Sequence, residues 1–107
     1  MAWIYIFIAS IFEISWAVGL KYSNGFSNFY PSIFTIITMI LSYVFLSLGA
    51  KSLPIGTAYA VWTGIGAVGT ALYGILFFNE SKDFLRIFFI FLIVVGIIGL
   101  RLTYKQN

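Results

Sequence analysis

The 107-residue sequence has no cysteine and no histidine, and its only charged side chains are six basic and three acidic ones. Without cysteine there are no disulfides and no thiol chemistry, and three scattered acids without histidine cannot form the ligand cluster that a catalytic metal needs. The shortage of charge excludes more. A water-soluble domain is about 45–50% apolar and about 25% charged, whereas this chain is 62% hydrophobic and 8% charged. Such a chain cannot surround a core with a wettable surface, so its solvent must be largely lipid. Nucleic-acid binding is excluded as well: the net charge is +3, but the basic residues stand singly at the ends of apolar runs and form no patch. Nothing in the composition calls for a cofactor.

Four long apolar stretches are present, about 2–20 (Ala2–Leu20), 33–49 (Ile33–Gly49), 56–78 (Gly56–Phe78) and 85–102 (Leu85–Leu102). Each is close to the ~20 residues that a helix needs to cross ~30 Å of hydrocarbon. The connectors "KYSNGFSNFYP", "AKSLP" and "NESKD" each combine lysine with turn-forming residues. The runs show no strict alternation, and four strands cannot close a spanning barrel, so helices must satisfy the backbone. The expectation is an all-α membrane protein, one domain of four transmembrane helices covering 1–107. A secretory-signal reading of the first stretch fails on its flanks, since no basic residue precedes it and an acid lies inside it. An even number of spans puts Lys51, Arg101 and Lys105 on one side and Lys21, Lys82 and Arg86 on the other. Short-loop charge sets orientation, and a three-against-three balance permits insertion both ways.

The acid inside the first stretch is Glu13, in "IASIFEISWAVGLK". A carboxylate at that depth costs at least ~2.5–3.5 kcal/mol and normally faces a bundle interior or wet cavity where ions or protons move. The bland alternative is an acid that simply hydrogen-bonds a neighbouring helix. Helical spacing puts Ala9, Ser10, Glu13, Trp16 and Ala17 on one stripe, small residues around an acid and an indole, which leaves room for a guest. Thr35, Thr38 and Ser42 share a stripe of the second stretch. Hydroxyls in membrane helices usually bond their own backbone, which is the expectation for Thr35 and Thr38. Ser42 gains interest beside Glu13, where it and Trp16 could donate to the carboxylate and fix its geometry.

In the third stretch, "PIGTAYAVWTGIGAVGTALYG", Tyr59 and Trp62 share a face with Gly66 and with Gly69 or Thr70, and Tyr73 follows one turn further. Tyr59 and Trp62 lie deeper than an interfacial belt; an indole attracts cations and a phenol donates to carboxylates. Gly64, Gly66 and Gly69 serve close helix packing, a hinge, or both. The fourth stretch, "FFIFLIVVGIIGLRL", has no polar residue before its arginine, and Gly96 and Gly99 mark it as an assembly surface for dimer packing. One four-helix unit has little interior left once its aromatic side chains are packed. Two copies inserted oppositely would share a chamber around two Glu13 carboxylates, an inverted-topology pair.

These residues carry a resemblance. Through "FEISWAVGLKYSNGF" and "KSLPIGTAYAVWTGIGAVGTAL", the chain resembles the small multidrug resistance transporters over nearly its whole length, and within them the guanidinium-exporter subtype. The resemblance implies an antiparallel, dual-topology homodimer in the inner (plasma) membrane. In it, Glu13 of each copy binds protons or a cationic substrate, and Trp16, Ser42, Tyr59 and Trp62 line the site. Trp16 is the subtype mark, because exporters of polyaromatic drugs have a small residue there. Where guanidinium exporters have glycine one turn before the acid, this chain has Ser10, whose hydroxyl could bond Glu13 or narrow the cavity. The resulting expectation is a proton-coupled antiporter, not an enzyme, whose partners are guanidinium-type cations, protons, lipid and a second copy of itself. Two alternatives compete with it: an exporter of quaternary ammonium or polyaromatic cations, and a small dual-topology ion channel or non-transporting membrane subunit. Trp16 argues against the first and the central acid against an anion channel.

Overall fold

A computed structural model describes residues 2–103 as four α-helices: α1 (Ala2–Ser23), α2 (Phe29–Ala50), α3 (Ile55–Phe77) and α4 (Phe84–Thr103). At 1.5 Å per residue each is about 30–35 Å long, and all four are long and apolar enough to cross a membrane. Lys105, one of the six basic residues in the charge balance, lies outside the described residues.

Two helices run three or four residues beyond their apolar stretches. α1 continues past Leu20 to Ser23, whose hydroxyl donates to the Leu20 carbonyl at 2.7 Å and accepts the Phe26 N–H at 3.2 Å. The turn then passes through the left-handed region at Asn24, Gly25 and Phe26, which is why glycine sits at its centre. α2 starts at Phe29, well before Ile33, because Pro31 falls in its first turn, where the missing N–H has no helical partner to lose.

α1 lies between α2 and α3, and α4 packs along α3. The result is a slab of 46 × 34 × 16 Å, only 16 Å thick, rather than a closed bundle. Its core is Ile6, Ala9, Leu46, Leu53, Ala58, Val61 and Trp62. The α1–α2 seam is close because Gly49 lets Ile6 in and Gly19 lets Thr35 in; a Cβ at either would strike those side chains. Thr35 and Thr38 bond their own helix, donating to Pro31 and Phe34 carbonyls at 2.8 Å each, as expected. No residue of α4 is buried. Nothing lies within 4 Å of a Cβ built at Gly96 or Gly99, so the α4 surface that carries them is open to lipid or to another chain.

Candidate functional site

Glu13 sits near the middle of α1, on the face turned toward α3. Gly66 is buried directly opposite, and a Cβ there would run into the Glu13 carboxyl group. The absence of a side chain on α3 therefore makes the space that the acid occupies. One helical turn along, Gly69 does the same for Ile14, and on the other side of α3 Gly64 accommodates Ile97 of α4. The three glycines thus have separate packing partners on α1 and α4. α3 itself is continuous from Ile55 to Phe77 and shows packing at these positions, without a break.

Among the described residues, two buried side-chain polar atoms have no hydrogen-bond partner: Glu13 Oε1 and Trp16 Nε1. They are three residues apart on α1 and so share a face. One is an acceptor and the other a donor, and unmet buried groups of this kind cost about 1–3 kcal/mol each, more for a charged one. Such groups are rare in native proteins and mark places where strain, function or a bound water or ion is at work. The other two acids, Glu80 and Asp83, lie in the connector between α3 and α4, where Glu80 pairs with Arg86 at 2.7 Å. Glu13 is therefore the single acid within the spans. No group of three or more metal-ligating acids is found among the described residues.

The hydroxyls expected to face Glu13 are used elsewhere. Ser42 donates to the Ala9 carbonyl at 2.7 Å and accepts the Trp62 indole N–H at 2.9 Å, so it does not bond the carboxylate in this protomer. The physical reason lies in the α1–α2 seam, which brings Ser42 level with Ala9, one turn before the acid. In a regular helix the Ala9 carbonyl also receives the backbone N–H of residue 13. Ser42 thus ties α2 and α3 to the turn that carries Glu13 and positions the acid through the backbone. Ser10 is likewise fully buried and donates to the Ile6 carbonyl at 2.7 Å. That leaves Ser10 its bulk, not its hydroxyl, as an influence on the cavity.

Trp62 is buried and held on two sides, its ring centroid 5.4 Å from that of Tyr43 and 5.6 Å from that of Tyr59. Tyr59 is 55% exposed and presents its other face outward. The structure therefore ties Ser42 and Trp62 to the turn of α1 before Glu13, sets Gly66 of α3 against the acid, and leaves Tyr59 beside Trp62 at the margin, with Trp16 one turn beyond Glu13 on α1. Sequence spacing did not reveal that Gly66 is the seat of the Glu13 carboxyl or that the Ala9 carbonyl is the anchor of Ser42. Glycine and a backbone carbonyl carry no side-chain signature, and only a clustering of glycines on the face of Trp62 hinted at the first.

Ser42→Ala strands the Trp62 N–H in an apolar seam and cuts the tie to Ala9. The expected result is a loss of about 1–3 kcal/mol in stability, read by thermal unfolding in detergent. An unchanged midpoint would mean that the indole finds another acceptor.

Comparison with known proteins bears on what this region does. Residues 1–93 match the family described as Small Multidrug Resistance protein. A guanidinium exporter of Proteus vulgaris is 57% identical over 103 residues, covering 96% of this chain and 99% of that protein. A guanidinium exporter of Yersinia pestis is also 57% identical with the same coverage, and one of Escherichia coli strain K12 is 54% identical over 96% of this chain and 98% of its own length.

Proposed function

The chain belongs to the small multidrug resistance family, and on that premise we propose that it exports guanidinium and small guanidinyl cations in exchange for protons, as an antiparallel homodimer. It is a multi-pass protein of the inner membrane with four spans. The observation that carries the proposal is the unpartnered Glu13 oxygen beside the unpartnered Trp16 indole nitrogen. A carboxylate with free lone pairs accepts the parallel N–H bonds of a planar guanidinium in the geometry that arginine adopts toward acids. An aromatic face beside it adds cation–π attraction.

Coupling follows from competition for one pair of groups. Protons and guanidinium both neutralise Glu13, and neither binds where the other is. A carrier that has released its cation must take protons before its acids recross the membrane without net charge. No bond-making chemistry is required.

Three features support a second copy. The slab is only 16 Å thick, the α4 surface at Gly96 and Gly99 is open, and the site has an unmet donor as well as an unmet acceptor. A second Glu13 brought to the same chamber would supply acceptors for the indoles and leave paired carboxylates for the cation. Opposite insertion of the two copies accords with the balanced connector charges and puts the shared site near the midplane.

The deciding measurement is uptake of guanidinium into proteoliposomes under an imposed pH gradient. Accumulation that collapses with the gradient is expected; uptake indifferent to it would exclude antiport. Orientation gives a separate test. Ser52→Lys and Ser81→Lys add charge to connectors on opposite sides of the membrane, so each is expected to bias insertion one way and lower activity, and co-expression of the two should restore it. Wild-type protein whose termini label from one side only would overturn the antiparallel pair.

A further inference from the structure

One cavity among the described residues lies apart from Glu13, which is not in its lining. It is a cleft of about 560 Å³ between the C-terminal half of α1, the start of α2 and the end of α3. Ile14, Val18 and Phe34 line its inner part, and Tyr22, Tyr30 and Tyr73 stand toward its outer part. From Tyr22 to Ile14 is eight residues of helix, about 12 Å, which is most of the depth of one leaflet of a ~30 Å hydrocarbon layer.

Polarity along the cleft is graded. Its walls contain no carboxylate, so they offer a cation no charged partner. The Ser15 hydroxyl on its inner part is spent on the Ile11 carbonyl at 3.0 Å, and near the helix ends the Tyr22 and Tyr73 hydroxyls share a hydrogen bond of 3.2 Å that joins α1 to α3. The Phe78 ring touches both tyrosines, with centroids 5.4 Å and 5.5 Å away. Over that ring, 5.8 Å from its centroid, stands the ammonium group of Lys21, outside the cleft lining but beside its tyrosine mouth, and it forms no ion pair among the described residues. Tyrosine and lysine at span ends are the groups that settle at headgroup depth, and a basic side chain near the membrane surface attracts anionic headgroups. A ligand fitting this arrangement is negative at one end and apolar at the other.

We propose that the cleft is a binding site for an anionic phospholipid of the surrounding bilayer, with the phosphate at Lys21 and the tyrosine hydroxyls and an acyl chain running inward along Val18 to Ile14. An occupant there would wedge α1, α2 and α3 apart at one membrane face while Gly66 and Gly69 hold α1 and α3 together near the centre. The composition of the bilayer would thereby bear on the helices that carry the transport site.

The sequence has no cysteine, so Ser15→Cys gives a single attachment point for a bimane fluorophore on the cleft wall, and Tyr30→Cys gives one at its mouth. Each labelled full-length protein would be reconstituted with brominated phosphatidylglycerol or brominated phosphatidylcholine at equal mole fraction. Stronger quenching by the anionic lipid is expected at both positions, corresponding to a roughly five-fold preference that Lys21→Gln removes. Equal quenching by the two lipids, or a preference that survives Lys21→Gln, would overturn the proposal. Absence of quenching by either lipid at both positions would show that protein, a second copy included, covers the cleft, and would overturn it equally.

Discussion

Glu13→Gln is expected to reduce pH-driven guanidinium uptake to the level of protein-free vesicles while leaving the four helices folded. Glutamine keeps the shape that fits against Gly66, so the α1–α3 contact survives. It also removes the one acid within the spans, whose charge costs at least ~2.5–3.5 kcal/mol at that depth, so folding does not suffer. What disappears is the charge that guanidinium and protons share. Charge-assisted hydrogen bonds contribute about 1.5–3 kcal/mol each, so losing even one weakens cation binding by roughly ten- to a hundred-fold. In the wild type, lowering pH on the binding side is expected to weaken guanidinium binding, because protons occupy the same oxygens. In the glutamine variant the residual binding should not respond to pH. Retained proton-coupled exchange in the variant would place the coupling group elsewhere.

The second large effect is expected at Gly66. Any side chain there meets the Glu13 carboxyl, and both groups belong to helix backbones pinned nearby by the Ser42 bridge from Ala9 to Trp62. Gly66→Val must therefore push α3 away from α1 or turn the acid out of its seat. Overpacking of this sort costs about 1–3 kcal/mol, and we expect transport to be lost with it. The smaller Gly66→Ala should show the same defect in part. Glu13→Asp withdraws the carboxyl by one methylene, so combining it with Gly66→Ala should cost less stability than the two single changes added together. Non-additivity of about 0.5 kcal/mol or more in thermal unfolding would mark direct contact; strict additivity would show that the two residues do not share the space.

The seat and the acid illustrate different degrees of legibility. Glu13 stood out because an acid in a continuous apolar run is costly wherever it faces, and a cost of that size signals use. Trp16 followed from its place one turn along the same stripe. Gly66 was visible as a packing glycine, but its partner was not, since the partner depends on the rotation of α3 against α1. Ser42 was legible as a hydroxyl facing α1, but its bonds were not. An expected donor to the carboxylate proved to be a bridge from Trp62 to a backbone carbonyl, because the close α1–α2 seam puts Ser42 one turn away from the acid. The same register leaves the Ser10 hydroxyl facing its own helix, where the Ile6 carbonyl is the nearest acceptor.

The tyrosine pair between α1 and α3 shows the limit most clearly. Tyr22 and Tyr73 are 51 residues apart in the chain, and the sequence marks Tyr73 only as an aromatic one turn beyond the glycine face. No periodicity within one helix relates it to another helix, so the cleft those hydroxyls bound had no linear trace.

By itself, the sequence determined the features that the solvent imposes: four helices of membrane-spanning length, short connectors, one intramembrane acid, and balanced charge at the two sides. Hydrocarbon leaves the backbone no other way to satisfy its hydrogen bonds, so these features need no knowledge of how the helices meet. Tertiary structure alone decided the rest: that Gly66 rather than a polar side chain faces Glu13, that Ser42 and Ser10 spend their hydroxyls on backbone, and that α1 lies between α2 and α3. Those outcomes depend on helix rotation and axial offset of a few ångströms. In lipid the apolar faces are nearly equivalent, so helix pairing is settled by close packing at small residues, which becomes visible only once the helices are side by side.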